Sequence, residues 1–98
     1  MSKTLETILY PAVDAVRDTV ERGDELKKSA TAPLYGDGAP LNSLGLVSFV
    51  IEVEERVAST TGKTVRLVTP AAMSRKHSPF RTLGTLAEYV DELLTKEA

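Results

Sequence analysis

The chain has 98 residues, the size of a single domain with a modest hydrophobic core, so we expect one domain over residues 1–98. Its 12 Lys and Arg against 14 Asp and Glu give a formal charge of −2, which argues against a nucleic-acid-binding surface. The absence of cysteine excludes disulfides and thiolate metal sites, and the single histidine excludes a histidine-rich metal cluster.

No basic start followed by an apolar segment is found at the N-terminus, and no run approaches the ~18 apolar residues that span a membrane. With 42% apolar and 27% charged residues, the composition is that of an ordinary globular protein. We therefore expect a cytoplasmic protein without a membrane span. We also expect a monomer, although the sequence gives little information on oligomeric state.

The first predicted element is an amphipathic helix over residues 3–22. Apolar residues recur there at three- and four-residue steps: Leu5, Ile8, Leu9, Ala12, Val16 and Val20. Pro11 either kinks this helix or marks the first turn of a helix that starts near Tyr10. We favour the kink, because apolar residues on both sides of the proline share one stripe.

Residues 23–42 have the composition of a long loop. Its glycines and prolines are Gly23, Pro33, Gly36, Gly38 and Pro40. Leu26, Leu34 and Tyr35 are suited to hold this loop against the core. The glycines of the Tyr35-Gly-Asp-Gly38 stretch do not precede Gly-Lys-Ser/Thr, so we interpret them as a flexible loop, not as a phosphate-binding one.

The second predicted helix covers residues 44–60 and ends before Gly62, a left-handed terminator. One face is predicted core: Leu46, Phe49, Val50, Val53 and Val57. A second apolar stripe of Leu44, Val47 and Ile51 lies beside Glu54 and Glu55. This stripe either packs under the long loop or forms an exposed patch for partners.

The C-terminal third is predicted to contain an extended segment over residues 65–68, a short helical turn over residues 69–73 and a last helix. Either Thr82 or Thr85 caps that helix, and Phe80, Leu86 and Val90 are predicted core. The intervening basic residues are Arg75, Lys76, His77 and Arg81. We interpret them as solvated loop charge, with contact to a phosphate or to a partner protein as the alternative.

Ser43 lies between a polar turn and an apolar helix, where Ser43 or Asn42 would be a helix cap. A hydrolase nucleophile is not supported. Of the Gly-x-Ser-x-Gly elbow only Gly45 is present, and His77 has no nearby carboxylate in sequence to orient it. We therefore do not expect a hydrolase.

The run Leu41-Asn-Ser-Leu-Gly-Leu-Val-Ser-Phe-Val-Ile-Glu-Val-Glu-Glu-Arg-Val57 resembles the second helix of the acyl carrier proteins, whose signature is Asp-Ser-Leu before an apolar helix ending in glutamates. The segment Phe80-Arg-Thr-Leu-Gly-Thr-Leu-Ala-Glu-Tyr-Val90 is similar to that family's last helix. With the first helix, the resemblance to small stand-alone bacterial carrier proteins covers nearly the whole chain. It implies an all-α fold, a four-helix bundle with a short third helix and a long loop between helices one and two.

The resemblance also implies a covalent role for Ser43. The matching serine of the family receives phosphopantetheine from coenzyme A, and the thiol of that arm carries acyl groups as thioesters. The chain is then an acyl carrier in fatty-acid, polyketide-like or specialised lipid biosynthesis, and not an enzyme. Asn42 replaces the aspartate by which the modifying enzyme recognises its substrate, so we expect a specialised transferase or a slower reaction.

By the same resemblance, the docking face for partner enzymes consists of Leu44, Val47, Ile51, Glu54 and Glu55. The implied partners are a phosphopantetheinyl transferase and acyl-activating, acyltransferase or ketosynthase enzymes. Ser48 stands where many relatives have glutamate, which makes this face less acidic than usual. Two alternatives stay open: an aminoacyl or peptidyl carrier serving an adenylating enzyme, and an unmodified carrier-like module that binds proteins.

Overall fold

The computed structural model describes residues 3–20, 22–36, 38–69 and 79–97, with side chains as far as Thr95. Within these ranges it is mostly helical, with three α-helices: α1 (Tyr10–Val16), α2 (Ser43–Thr61) and α3 (Leu83–Glu97). In the same ranges β-structure is limited to two isolated bridges, in agreement with the predicted all-α class. Of the predicted 69–73 turn all but the first residue lies outside the described residues, as do Arg75, Lys76 and His77.

The helical backbone continues through Pro11, but its α-helical part starts at Tyr10 with the proline in the first turn, which is the alternative to the favoured kink. A π-helical segment, Leu5–Leu9, leads directly into α1, and the Tyr10 N–H donates to the carbonyl of Leu5, one residue farther back than in an α-helix. Proline lacks an N–H and its ring needs space in the preceding turn, which the wider π turn provides. The structure thus accommodates the proline by a local change in hydrogen bonding.

The first helix ends at Val16 and not near residue 22, so its predicted length is wrong. The carbonyl of Val16 accepts the N–H groups of Thr19 and Val20 and the hydroxyl of Thr19, which closes a turn at this point. Arg22 then has a left-handed φ of 61°. Its guanidinium donates to both carboxylate oxygens of Glu25 at 2.8 Å, and this hydrogen bonding lowers the pKa of that carboxyl.

The long loop is tied to the start of α3 by three backbone hydrogen bonds, here called the backbone ladder. The Leu34 N–H donates to the carbonyl of Arg81 at 2.8 Å, Leu83 to Ala32 at 3.1 Å and Gly84 to Ala30 at 2.8 Å. A Cβ on Gly84 would lie 2.7 Å from the Ala30 carbonyl oxygen, so the ladder requires glycine there. As predicted, Leu26 and Leu34 are fully buried.

The core lies between these helices and the loop. The predicted core residues of α2 are confirmed except Leu46, which is only partly buried. Phe80, Leu86 and Val90 are buried as predicted. Val65 and Leu67, which are not among the predicted core residues, are buried too. None of the described helices is long and apolar enough to cross a membrane.

Both predicted caps of α3 are present and act together. The Thr82 hydroxyl accepts the N–H of Thr85 at 3.1 Å, and the Thr85 hydroxyl accepts the N–H of Thr82 at 3.0 Å. This reciprocal pair has the arrangement of a capping box. Gly62, with φ 75°, ends α2 in the left-handed conformation expected of it.

The facing of α2 gives a first prediction. Val53 is fully buried and Val47 is 47% exposed on the same helix. Val53→Ala leaves a cavity and should lower the free energy of unfolding by about 2 kcal/mol. Val47→Ala, the matched control, should change it by no more than about 0.5 kcal/mol. Denaturant unfolding of both variants measures this, and equal losses would contradict the facing of the helix.

Candidate functional site

The start of α2 is built by Asn42. Its backbone is extended, its carbonyl accepts the N–H of Leu46 at 2.8 Å, and its side-chain Oδ1 accepts the N–H of Gly45 at 2.7 Å. This is the hydrogen bonding of an N-cap, which supplies a partner to one of the first-turn N–H groups of a helix. The cap fixes where the helix begins and makes Ser43 its first residue.

Ser43 is exposed, and its Oγ lies 3.0 Å from the hydroxyl oxygen of Tyr35. Tyr35 comes from the long loop and is 41% exposed. The prediction that Tyr35 holds the loop against the core is therefore wrong: its buried neighbour Leu34 has that role, and the phenol extends toward the serine. No local pattern signals this contact, because it depends on how the loop returns.

The second apolar stripe of α2 is exposed. Leu44 is 75% exposed, Val47 47% and Ile51 51%, so the long loop does not cover them. Among the described residues, the remaining large apolar side chains that are exposed are Tyr35 and Val68. The exposed apolar surface is thus concentrated on the helix that begins with Ser43, and the predicted alternative in which the stripe packs under the long loop is wrong.

The two glutamates beside the stripe differ in their surroundings. Glu55 is exposed, whereas Glu54 is half-buried and its Oε2 accepts the N–H of Leu67 at 2.7 Å. Glu54 thereby gives the extended segment after α2 a hydrogen-bond partner that a neighbouring strand would otherwise supply. The sequence analysis missed this bond.

Two depressions border the stripe. One, of about 290 Å³, lies at the C-terminal end of the stripe between α2 and the extended segment, and Ile51, Glu55 and Arg66 contribute to its lining. The other, of about 190 Å³, is lined by Leu44 and Ser48 of α2 and by Thr19 and Val20 of the turn after α1. Each of them is lined in part by a residue of the stripe, Ile51 in the first and Leu44 in the second.

Comparison of the chain with protein-family models, with curated proteins and with solved structures finds no match. The functional argument therefore depends on the residues and their geometry. The structure brings Asn42, Ser43 and Leu44 together at the start of α2, with Val47 and Ile51 on the turns that follow. Arg81, the described member of the basic cluster, is exposed before α3.

The cap gives a second prediction. Asn42→Ala removes the acceptor for the Gly45 N–H and should lower the free energy of unfolding by about 1 kcal/mol. Asn42→Asp should retain the stability, because a carboxylate oxygen accepts the same N–H and its charge suits the N-terminal end of a helix. Denaturant unfolding at neutral pH compares the two variants. An aspartate variant as unstable as the alanine variant would contradict this role.

Proposed function

We propose that this protein is a phosphopantetheine-dependent acyl carrier protein, a four-helix bundle whose Ser43 receives the arm from coenzyme A. The observation that supports this most is the position of Ser43: an exposed hydroxyl on the first residue of α2, directly before an exposed apolar stripe on that helix. The protein then carries a substrate for other enzymes and catalyses no reaction itself.

The residues present suit a phosphopantetheine group. A primary hydroxyl forms a phosphodiester, and at the N-terminus of a helix the anionic phosphate lies near backbone N–H groups and the positive end of the helix dipole. Ser43 would hold the arm covalently, with Asn42 defining the helix start. The bound group supplies the thiol that forms thioesters with acyl cargo, so the chain needs no cysteine of its own.

The third prediction tests this proposal directly. After incubation with coenzyme A and a broad-specificity phosphopantetheinyl transferase, the intact mass should increase by one phosphopantetheine. Ser43→Ala should gain none, and Ser59→Ala, an exposed serine near the C-terminal end of the same helix, should be modified like the wild type. A folded wild type that gains no mass with several transferases would contradict the carrier function and favour the unmodified protein-binding module.

The docking part of the proposal is that partner enzymes contact Leu44, Val47 and Ile51, with Glu54 and Glu55 at the edge. Exposed apolar side chains provide weak, quickly released affinity, and the carboxylates favour partners with basic surfaces. A shuttle that must leave each partner after delivery needs such a surface. The half-buried position of Glu54 makes Glu55 the more accessible of the two charges.

The fourth prediction uses the transferase as the partner. The double change Val47→Gln and Ile51→Gln should raise the KM of the transferase for the apo-protein about tenfold, which corresponds to about 1.4 kcal/mol of lost binding. Glutamine is a good helix former, so α2 should persist. Val68→Gln, the matched control at an exposed valine outside the stripe, should leave KM unchanged. An unchanged KM for the double variant would place the docking surface elsewhere.

A further inference from the structure

The hydrogen bond between the hydroxyls of Tyr35 and Ser43 is not explained by stability. Both side chains are exposed, and exposed hydroxyls exchange bonds with water at little net gain. Nor does core packing hold the phenol there, since Tyr35 is 41% exposed. The contact nevertheless places the phenol oxygen of Tyr35 3.0 Å from the Ser43 Oγ, the atom that the proposed modification uses.

The position of Tyr35 is set by its backbone. The preceding residue, Leu34, is fully buried; its N–H donates to the Arg81 carbonyl, and its own carbonyl accepts the N–H of Leu41 at 3.2 Å. Tyr35 itself forms a parallel bridge with Leu41. The chain returns between these two residues through Gly36 and Gly38, which have φ of 121° and 78°. This closed loop brings the phenol to Ser43, two residues after Leu41.

We propose that Tyr35 is a positioning residue for the modification of Ser43, an inference that rests on the proposed function. A phenol is a stronger donor than a primary alcohol, so Tyr35 donates and the Oγ of Ser43 accepts. The bond holds Oγ in one orientation and leaves the serine hydrogen available to a base of the transferase. Oγ then bonds to the phosphorus next to the pantetheine, the bond from that phosphorus to adenosine 3′,5′-bisphosphate breaks, and the serine proton passes to that base.

After modification the Tyr35 hydroxyl gains a better acceptor. Oγ becomes an ester oxygen, while the phosphate attached to it has anionic oxygens. A hydrogen bond to an ionised acceptor is shorter and about twice as strong as one between neutral groups. Tyr35 therefore donates to the phosphate in the modified protein, and the start of the arm is held against the long loop.

The fifth prediction concerns Tyr35→Phe, which removes the hydroxyl and keeps the ring. With coenzyme A and the transferase, we expect kcat to fall about three- to tenfold, the range of one positioning hydrogen bond, with KM unchanged because the exposed stripe is intact. Tyr10→Phe is the control, since that partly buried tyrosine belongs to α1. The melting temperatures of both variants should equal that of the wild type.

A second measurement is independent of catalysis. In the modified protein, the ³¹P resonance of the phosphodiester should shift on Tyr35→Phe and remain in place on Tyr10→Phe. An unchanged kcat together with an unchanged ³¹P resonance would overturn the role of Tyr35. A faster reaction of Tyr35→Phe would also overturn it, because the tyrosine would then hinder access of the transferase to Ser43. A wild type that is never modified would contradict the proposed function itself, which separates the two failures.

Discussion

Burial of one face of α2 is the constraint on which the site depends. Phe49, Val53 and Val57 are fully buried and fix the rotation of the helix about its axis. Side chains on a helix repeat at about 100° per residue, so this rotation also determines where Leu44, Val47 and Ile51 lie. They are exposed because the opposite face of α2 is the one that packs against the core.

Helix α2 shows which features of the structure could be predicted from the sequence. The 3.6-residue period of α2, its cap at Asn42 and its terminator at Gly62 are local signals, and the structure confirms each of them. The buried faces of α2 and α3 follow from the same period. The length of the first helix did not follow, since its last apolar position, Val20, packs partly against the core without being helical.

The contacts that the sequence did not predict connect a helix residue with a residue of a neighbouring non-helical segment. Glu54 accepts a hydrogen bond from the N–H of Leu67, and the hydroxyl of Tyr35 contacts that of Ser43. Neither pair has a spacing typical of a motif. Each contact depends on where a loop lies after folding. Local propensity carries no information about the position of a loop in the folded protein. Periodicity therefore predicts on which face of a helix a residue lies, but not which residue of another segment it contacts.

The backbone ladder has a consequence for how the molecule opens. Three amides of the loop and of α3 have their acceptors on the opposite segment, so these N–H groups exchange with solvent only when the two segments separate. The loop and the first turn of α3 thus form one cooperative opening unit. The amide protection of this loop therefore depends on a helix whose paired residues lie about fifty positions later in the chain.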